Sequence, residues 1–185
     1  MPAHIGHVRR FVLALLIPFC VLPLASATLE RLSLTDMITK STAIVRGKVQ
    51  SSYAAFSGRV IYTHYSVQVT EQYKGNPATT IDVVVPGGVA NGIEQNYAGA
   101  PTFRAGEEYV FFIWTSKTGL NWIVGLTQGL FAVSQDSVSN PSVTRTASRE
   151  LMLDGTTHQQ VKDQTLNMRL GDLRSQIATT LGVAK

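Results

Sequence analysis

Apolar residues recur with a period of two along the first half of the chain. Residues 44–50 and 60–69 alternate apolar with polar positions, and this alternation is typical of half-buried β-strands. Because Ser57 and Gly58 between them form a turn signal, the two segments predict a long antiparallel hairpin. Shorter strands are predicted at residues 81–85, 108–114, 121–124 and 129–133.

The strand predicted at residues 108–114 is apolar on both faces. It contains the aromatic residues Tyr109, Phe111, Phe112 and Trp114. A run of this kind predicts a strand at the centre of a sheet, with its aromatic side chains in the core. We therefore interpret these four residues as core residues and not as a ligand site.

Helical spacing of apolar residues marks both ends of the predicted domain. Ser33 or Thr35 can cap a short helix near the start. Near the C-terminus, the spacing predicts an amphipathic helix that ends near Gly182. Its apolar side is formed by Leu166, Leu170, Leu173, Ile177 and Leu181.

These patterns together predict a mainly β protein. The expected fold is a small five- to seven-stranded, OB-like antiparallel barrel with a short N-terminal helix and a C-terminal amphipathic helix. We assign the barrel to residues 28–135. Residues 136–185 form a polar connector and the C-terminal helix, because the chain is polar and without periodicity up to residue 149.

The first 27 residues resemble an export signal. Arg9 and Arg10 precede an uncharged segment, residues 11–25, which leads to the small residues Ala25 and Ala27. This arrangement predicts a signal peptide that is cleaved after Ala27, so the mature protein is periplasmic or secreted. An uncleaved anchor is less favoured because a spanning helix needs about 20 apolar residues.

The only cysteine of the chain, Cys20, lies in this leader. Lipidation at Cys20 is less favoured, because Phe19 stands where a small residue is required. The mature chain therefore has no cysteine, and disulfides and thiolate metal sites are excluded. We expect no stable membrane anchor after cleavage.

Composition and charge exclude further classes of protein. The chain of 185 residues has 44% apolar and 15% charged residues, which excludes a disordered protein. Loss of the leader leaves 14 basic and 12 acidic residues, a net charge of +2. Because no basic cluster is present, nucleic acid is not an expected partner.

The sequence contains no recognisable catalytic or metal-binding motif. His64 and His158 are the histidines of the mature chain, and no spacing pairs either with a nucleophile or with further metal ligands. His64 is expected to be solvated on the polar face of its strand. We expect no cofactor and propose a non-enzymatic binding module. Its partner would be an extracellular or periplasmic protein or glycan.

A hydrolase that uses carboxylates alone, acting on an extracellular polymer, is the alternative enzyme. It requires two carboxyl groups about 5–10 Å apart in one cleft. The candidates are Asp82, Glu94, Glu107 and Glu108.

The segment 87–106 is a possible partner-binding loop, because about twenty residues is long for a loop without a function. Its candidate contact residues are Asn91, Gln95, Asn96, Tyr97 and Arg104. The favoured alternative is a structural hairpin around residues 93–97, which Gly92 and Gly99 would flank as turn residues.

Several short motifs resemble a group of exported bacterial domains with an OB-like barrel and no assigned function. The motifs are Leu32-Ser33-Leu34-Thr35-Asp36, Ala43-Ile44-Val45-Arg46-Gly47-Lys48-Val49, Tyr73-Lys74-Gly75, Pro86-Gly87-Gly88 and the segment 99–109. Residues 43–113 are more distantly similar to the N-terminal, netrin-like domain of the tissue inhibitors of metalloproteinases. Those inhibitors chelate zinc through an N-terminal cysteine, which the mature chain lacks. The resemblance therefore implies the fold and not inhibition, and a protease-inhibitor-like domain stays a third alternative.

Overall fold

The computed structural model describes residues 28–134, 136–137 and 139–183, so the predicted leader and its cleavage site after Ala27 lie outside the described residues. The first half contains β1 (Thr28–Arg31), α1 (Leu34–Lys40), β2 (Ala43–Ser57), β3 (Val60–Lys74), β4 (Thr80–Pro86), β5 (Gly88–Ala90) and β6 (Ile93–Gln95). The second half contains β7 (Glu108–Thr115), β8 (Asn121–Ile123), β9 (Leu130–Val133), β10 (Ser142–Arg145), β11 (Leu151–Asp154), β12 (Gln160–Val161), β13 (Leu166–Arg169) and α2 (Leu170–Leu181). The protein is mainly β with two helices, as predicted.

Most strands belong to one large sheet. Its order is β13-β10-β9-β7-β2-β3-β4-β8, and β8 pairs additionally with β7. The pairings β2–β3, β3–β4, β4–β8, β8–β7 and β7–β2 thus form a circuit of five strands. The sheet as a whole is not a closed barrel, because β9, β10 and β13 continue it from β7 to an open edge.

The prediction of an antiparallel barrel is wrong at one pair, because strand β8 runs parallel to β4, with Val84 opposite Trp122. This exception follows from parity: strand direction reverses at each antiparallel pair, so a circuit of five strands requires at least one parallel pair. In a separate three-stranded sheet, β1-β11-β12, strand β1 also runs parallel to its neighbour β11.

Strand β7 is central and contributes to two separate cores, as its two apolar faces predict. Successive side chains of a strand point to opposite faces. Val110 and Phe112 join an outer core beneath the helices, with Met37, Leu173 and Ile177. The alternate residues of β7, Phe111 and Ile113, join an inner core between the strands. This inner core also contains Val45, Tyr65, Val67, Val83 and Phe103.

Close packing inside the strand circuit accounts for one glycine of β2. A Cβ atom on Gly47 would lie 2.5 Å from Val67 Cγ1 and 2.7 Å from the carbonyl oxygen of Gln68. Contacts this short do not occur in folded proteins. The glycine therefore lets β2 and β3 approach each other on the inner face.

A capping residue marks the start of α1 and the end of α2. Ser33 caps α1, as predicted: its hydroxyl accepts a hydrogen bond from the Asp36 N–H at 3.1 Å, and the Asp36 carboxylate accepts one from the Ser33 N–H at 3.0 Å. Helix α2 ends at Gly182, which has a left-handed backbone. Its predicted start at Leu166 is wrong, because residues 166–169 form β13 and pair with β10.

An ionic cluster ties α2 to the sheet. Arg174 of α2 forms an ion pair with Glu71 of β3, and the Tyr73 hydroxyl donates a hydrogen bond to the same carboxylate. Burial alone would raise the pKa of Glu71, but the contacts with Arg174 and Tyr73 outweigh burial and lower this pKa. Glu71 therefore stays ionised and fixes the position of α2.

The predicted polar connector contains strands that no periodicity indicated. Strands β10, β11 and β12 have two to four residues each, too few for a period to be recognised. Arg145 of β10 is 3% exposed, and its Nη2 lies 2.7 Å from Asp163 Oδ1. This buried ion pair joins β10 to the segment between β12 and β13.

Candidate functional site

The predicted binding loop begins as a hairpin. Strands β5 and β6 pair around Asn91 and Gly92, which both have positive φ angles, 51° and 75°, as a two-residue hairpin turn requires. The Gln95 side chain accepts a hydrogen bond from the Ile61 N–H at 2.7 Å and donates one to the Arg59 carbonyl at 2.9 Å. Gln95 thus anchors the hairpin to β3. The hairpin comprises residues 88–95 with Gly92 in its turn, and not residues 93–97 between Gly92 and Gly99.

The structure brings three of the five predicted contact residues together. Gln95, Asn96 and Tyr97 line a small cavity of about 120 Å³, and Tyr97 is 43% exposed. Asn91 at the hairpin turn and Arg104 do not line it. Arg104 is exposed in the turn before β7, where its N–H donates to the Glu107 carboxylate.

A larger groove of about 440 Å³ lies where β7 and β8 meet β1. Trp114 and Trp122 are directly opposite each other in the antiparallel β7–β8 pair, so their side chains share one face. Trp114 is 49% exposed. The interpretation of Trp114 as a core residue is therefore wrong, because the helices cover Phe112 but do not extend over Trp114.

We call this site the tryptophan groove. Its lining is mostly apolar. The groove is lined by Leu29, Glu30, Leu32, Lys40, Trp114, Trp122, Ile123, Val124, Gly125 and Gln128. The Lys40 Nζ atom lies 3.6 Å from Glu30 Oε1, so the charged groups at the rim compensate each other.

A buried glutamine fixes β1 as one side of the groove. Gln128 is 1% exposed; its Nε2 donates to the Glu30 carbonyl at 2.9 Å, and its Oε1 accepts from the Leu32 N–H at 2.8 Å. The side-chain amide thereby pairs with β1 as a neighbouring peptide group would. Gly125 permits this arrangement, because a Cβ there would lie 2.8 Å from Gln128 Nε2.

Aromatic side chains continue from the groove across the same face of the sheet. The Tyr62 ring meets the Trp122 ring edge-on, with centroids 5.3 Å apart. His64, two residues further along β3, stacks on Tyr53 at 4.7 Å with an interplanar angle of 5°. We call Tyr53, Tyr62, His64, Trp114 and Trp122 the aromatic face.

The sequence predicted a solvated His64, but in the structure its side chain contacts a carboxylate. Its side chain is 17% exposed, and Nδ1 lies 2.7 Å from Asp82 Oδ2. No sequence spacing indicates this pair, because the contact depends on the β3–β4 register, which places Asp82 opposite Ser66. A carboxylate on Nδ1 orients an imidazole, so the geometry presents Nε2 as the free ring nitrogen.

The four candidate carboxylates each have a separate partner. Asp82 contacts His64, and Glu94 accepts a hydrogen bond from Asn96. Glu108 lies 2.7 Å from Arg46 Nε. Glu107 accepts from the Arg104 N–H and from the Tyr109 hydroxyl.

The environment of Glu107 favours its ionised form. The hydrogen bond from the Arg104 N–H lowers the pKa of Glu107, and the Tyr109 hydroxyl lowers it further. Burial, together with the nearby carboxylate, raises the pKa of Tyr109 to about 12. A general acid requires a raised carboxyl pKa, so Glu107 is suited to structural hydrogen bonding.

His158 belongs neither to the aromatic face nor to the tryptophan groove. It follows β11 in a turn with a positive φ angle of 55°, and its N–H donates to the Asp154 carbonyl. Among the residues that the structure describes, no group of three His, Cys, Asp or Glu side chains is placed to bind a metal ion. No helix within the described ranges is long and apolar enough to cross a membrane.

No protein-family model and no curated protein matches the chain.

Proposed function

We propose that the protein is an exported, non-enzymatic binding module whose ligand site is the tryptophan groove. The observation that carries this proposal is the pair of opposed tryptophans, the exposed Trp114 and the half-buried Trp122, which line a preformed groove of about 440 Å³. Ligand sites are typically concave, mostly apolar and furnished with a few placed polar groups. The groove has each of these properties.

The strand pairing supports the OB-like fold that the sequence resemblance implies. The circuit β2-β3-β4-β8-β7 has five strands and one parallel pair. An OB-fold is a five-stranded, partly open barrel that binds oligosaccharides and oligonucleotides on an exposed face. We extend the proposal to a relationship with the exported OB-like domains and, more distantly, with the netrin-like inhibitor domain.

The chemistry of the groove favours a neutral saccharide as ligand. Glu30 and Lys40 at the rim form an ion pair, so no unpaired cation is left there to bind a phosphate. An indole ring offers a flat apolar surface and an N–H donor, which suits the apolar face and the hydroxyl groups of a sugar ring. A neutral glycan outside the cytoplasm is therefore the proposed ligand class.

Intrinsic fluorescence provides a direct test, because the chain contains two tryptophans and both line the groove. We expect neutral oligosaccharides to change the emission in a saturable manner, whereas polyphosphates leave it unchanged. Trp114→Phe and Trp122→Phe should each weaken binding, as measured by calorimetry, with an unchanged melting temperature.

The matched control is Asn96→Ala combined with Tyr97→Ala, which alters the exposed end of the predicted loop and leaves the groove intact. Normal binding by this control supports the groove as the site. Loss of binding in the control, with normal binding by both tryptophan variants, would place the site at the cavity lined by Tyr97.

The contact between His64 and Asp82 keeps the enzymatic alternative open to experiment. The protein is incubated with neutral glycans, esters and peptides, and product release is followed over time. Turnover that disappears in His64→Ala, while binding persists, would replace the binding module with a hydrolase. Saturable binding without turnover supports the proposal.

A further inference from the structure

A single line of directly opposed residues crosses the aromatic face from one strand to the next. Trp114 of β7 is opposite Trp122 of β8, and Trp122 is opposite Val84 of β4. Val84 is in turn opposite His64 of β3, and His64 is opposite Tyr53 of β2. Because opposed residues share one face of a sheet, these five side chains form one line across five strands. We call it the cross-strand row.

The cross-strand row extends well beyond the tryptophan groove. Neighbouring strands lie about 4.8 Å apart, and four such steps separate Trp114 from Tyr53, so the row is roughly 19 Å long when it is followed along the sheet. Its two ends are its most exposed members, since Trp114 is 49% and Tyr53 is 62% exposed. This length is several times the width of a sugar ring. A ligand that contacts both ends must therefore be a chain of sugar units.

Contacts between rings make the row a continuous surface. Strand β4 lies between β3 and β8, so the edge-on contact of Tyr62 with Trp122 crosses over β4. Val84 of β4 is only 2% exposed, because larger side chains on both neighbouring strands flank it. At the far end, the Tyr53 ring stacks on the His64 imidazole. Aromatic rings thus follow one another from the groove to the end of the row.

The neighbouring hairpin of β5 and β6 leaves this surface open. A Cβ atom on Gly88 of β5 would lie 3.1 Å from the Ala54 Cβ atom and 2.4 Å from the Thr63 Oγ1 atom. Ala54 and Thr63 are the chain neighbours of Tyr53 and His64, so their side chains point to the opposite face of the sheet. Strand β5 therefore packs behind the row and does not cover it.

His64 gives the row a polar group in a fixed orientation. Its Nδ1 atom lies 2.7 Å from Asp82 Oδ2, and a carboxylate in this position orients the imidazole. The Tyr53 ring covers one face of the imidazole, so a ligand approaches the edge that carries Nε2. Because the Asp82 carboxylate accepts the Nδ1 proton of the neutral ring, Nε2 is the acceptor of that ring and suits a hydroxyl donor.

We propose that the ligand is a linear, neutral oligosaccharide that lies across the strands along the cross-strand row, from Trp114 in the groove to Tyr53. This inference rests on the proposed function and adds to it the form of the ligand and its direction on the sheet. The rings of the row contact the apolar faces of successive sugar units. His64 Nε2 accepts a hydrogen bond from a sugar hydroxyl near the middle of the chain.

The dependence of affinity on chain length tests this proposal. The protein without its leader is titrated in a calorimeter with β-1,4-linked oligosaccharides of glucose and of N-acetylglucosamine, from one to six units. We expect the affinity to rise with chain length. Tyr53→Ala should weaken binding of the hexasaccharide by about threefold to tenfold, with a much smaller effect on the disaccharide.

The matched control is Phe56→Ala, which removes another exposed aromatic ring from β2. Phe56 is three residues from Tyr53 and therefore lies on the opposite face of the strand. This variant should retain the dependence on chain length. Cross-strand aromatic pairs also stabilise sheets, but a role in stability alone would alter the melting temperature and not the difference between long and short ligands.

Nuclear magnetic resonance gives a second readout that needs no variant. Removal of the leader leaves His64 and His158 as the histidines of the chain. The imidazole signals of His64 should shift with the hexasaccharide and not with the disaccharide, whereas those of His158 should stay unchanged with both. His158 thus serves as an internal reference.

The outcomes separate this proposal from the proposed function. Equal affinities for short and long chains would overturn the row as a ligand surface and leave the groove as the binding site. A dependence on length that Tyr53→Ala does not change, with unshifted His64 signals, would also overturn it. Absence of binding by every oligosaccharide would overturn the proposed function itself, and the row with it.

Discussion

Phe112 and Trp114 lie two residues apart on β7 and point to the same face of the sheet, yet their surroundings differ. Phe112 is fully buried beneath the helices, whereas Trp114 is 49% exposed at the edge of the groove. The strand has the same apolar pattern at both positions. The extent of the helices, and not the pattern of the strand, therefore decides where the core ends and the candidate binding surface begins.

The region of the sheet beneath the helices, here the covered region, and the region around the tryptophan groove, here the open region, also differ in the contacts that hold them in place. In the covered region, α2 is tied to the sheet by the ion pair between Arg174 and Glu71 and by apolar contacts. In the open region, Trp122 contacts Tyr62, and β1 is fixed through Gln128. The open region thus keeps a defined shape through a few specific contacts.

Truncation of Phe112 is expected to have the largest effect on stability. Phe112→Ala leaves a cavity in the outer core and should lower the free energy of unfolding by about 3–5 kcal/mol. Trp114→Ala, on the same strand and face, should cost clearly less because much of its ring is already in water. Denaturant unfolding measures both, and equal losses would remove the distinction between the two regions.

Removal of the charge from Asp163 tests the ion pair that supports the covered region. Asp163→Asn leaves the buried Arg145 without its counter-charge and should cost about 3 kcal/mol. Burial raises the pKa of Asp163, but hydrogen bonds from the Ser148 N–H and from Arg145 outweigh it, so this pKa is lowered overall.

The same residue gives a pH dependence with a defined sign. A lowered carboxyl pKa contributes stability that is present above the unfolded pKa, about 3.9, and is lost as the pH falls through the folded value. Unfolding from pH 7 downward should therefore show a loss of stability below about pH 4 that is smaller in Asp163→Asn. Parallel curves for both proteins would contradict this assignment.

Gln128 connects the two regions, and its removal should have an intermediate effect. Gln128→Ala leaves the Glu30 carbonyl and the Leu32 N–H without their partner and should cost about 1–3 kcal/mol. Hydrogen exchange at the Leu32 amide should accelerate, and ligand binding should weaken because one side of the groove loosens. Gln128→Glu, which can accept from Leu32 but cannot donate to Glu30, is the matched control and should retain part of the protection.

Tyr53 marks the far end of the aromatic face and should contribute least to stability. Because it is 62% exposed, Tyr53→Ala should change the free energy of unfolding by no more than about 0.5 kcal/mol. Titration with the ligand of the wild type then shows how far the binding surface extends. Weaker binding would extend it to the Tyr53–His64 stack, and unchanged binding would limit it to the groove.

The longest elements were predicted because they have enough residues to show a period. In the β2–β3 hairpin, apolar and polar positions alternate over seven residues or more, and the central β7 is apolar on both faces over a similar length. The short β8 and β9 were predicted from brief apolar runs. The strands after residue 135 are equally short, and the chain around β10 is polar, so they gave no such signal. Strand β13 was interpreted as helix because Leu166 continues the spacing of α2.

The tryptophan groove could not be recognised from local pattern. Trp114 continues an apolar run, and its exposure depends on where α1 and α2 end over the sheet. Gln128 gives no signal in the sequence, since its role depends on contacts with residues 30 and 32. The contact of His64 with Asp82 likewise depends on strand register, which a single sequence does not reveal.

The parallel pairing of β1 with β11 joins two distant parts of the chain at the border of the groove. Thr28 pairs with Leu151, about 120 residues further along the sequence. Contacts between such distant residues form slowly, so we expect the β1 side of the groove to form after the central β2–β3 hairpin.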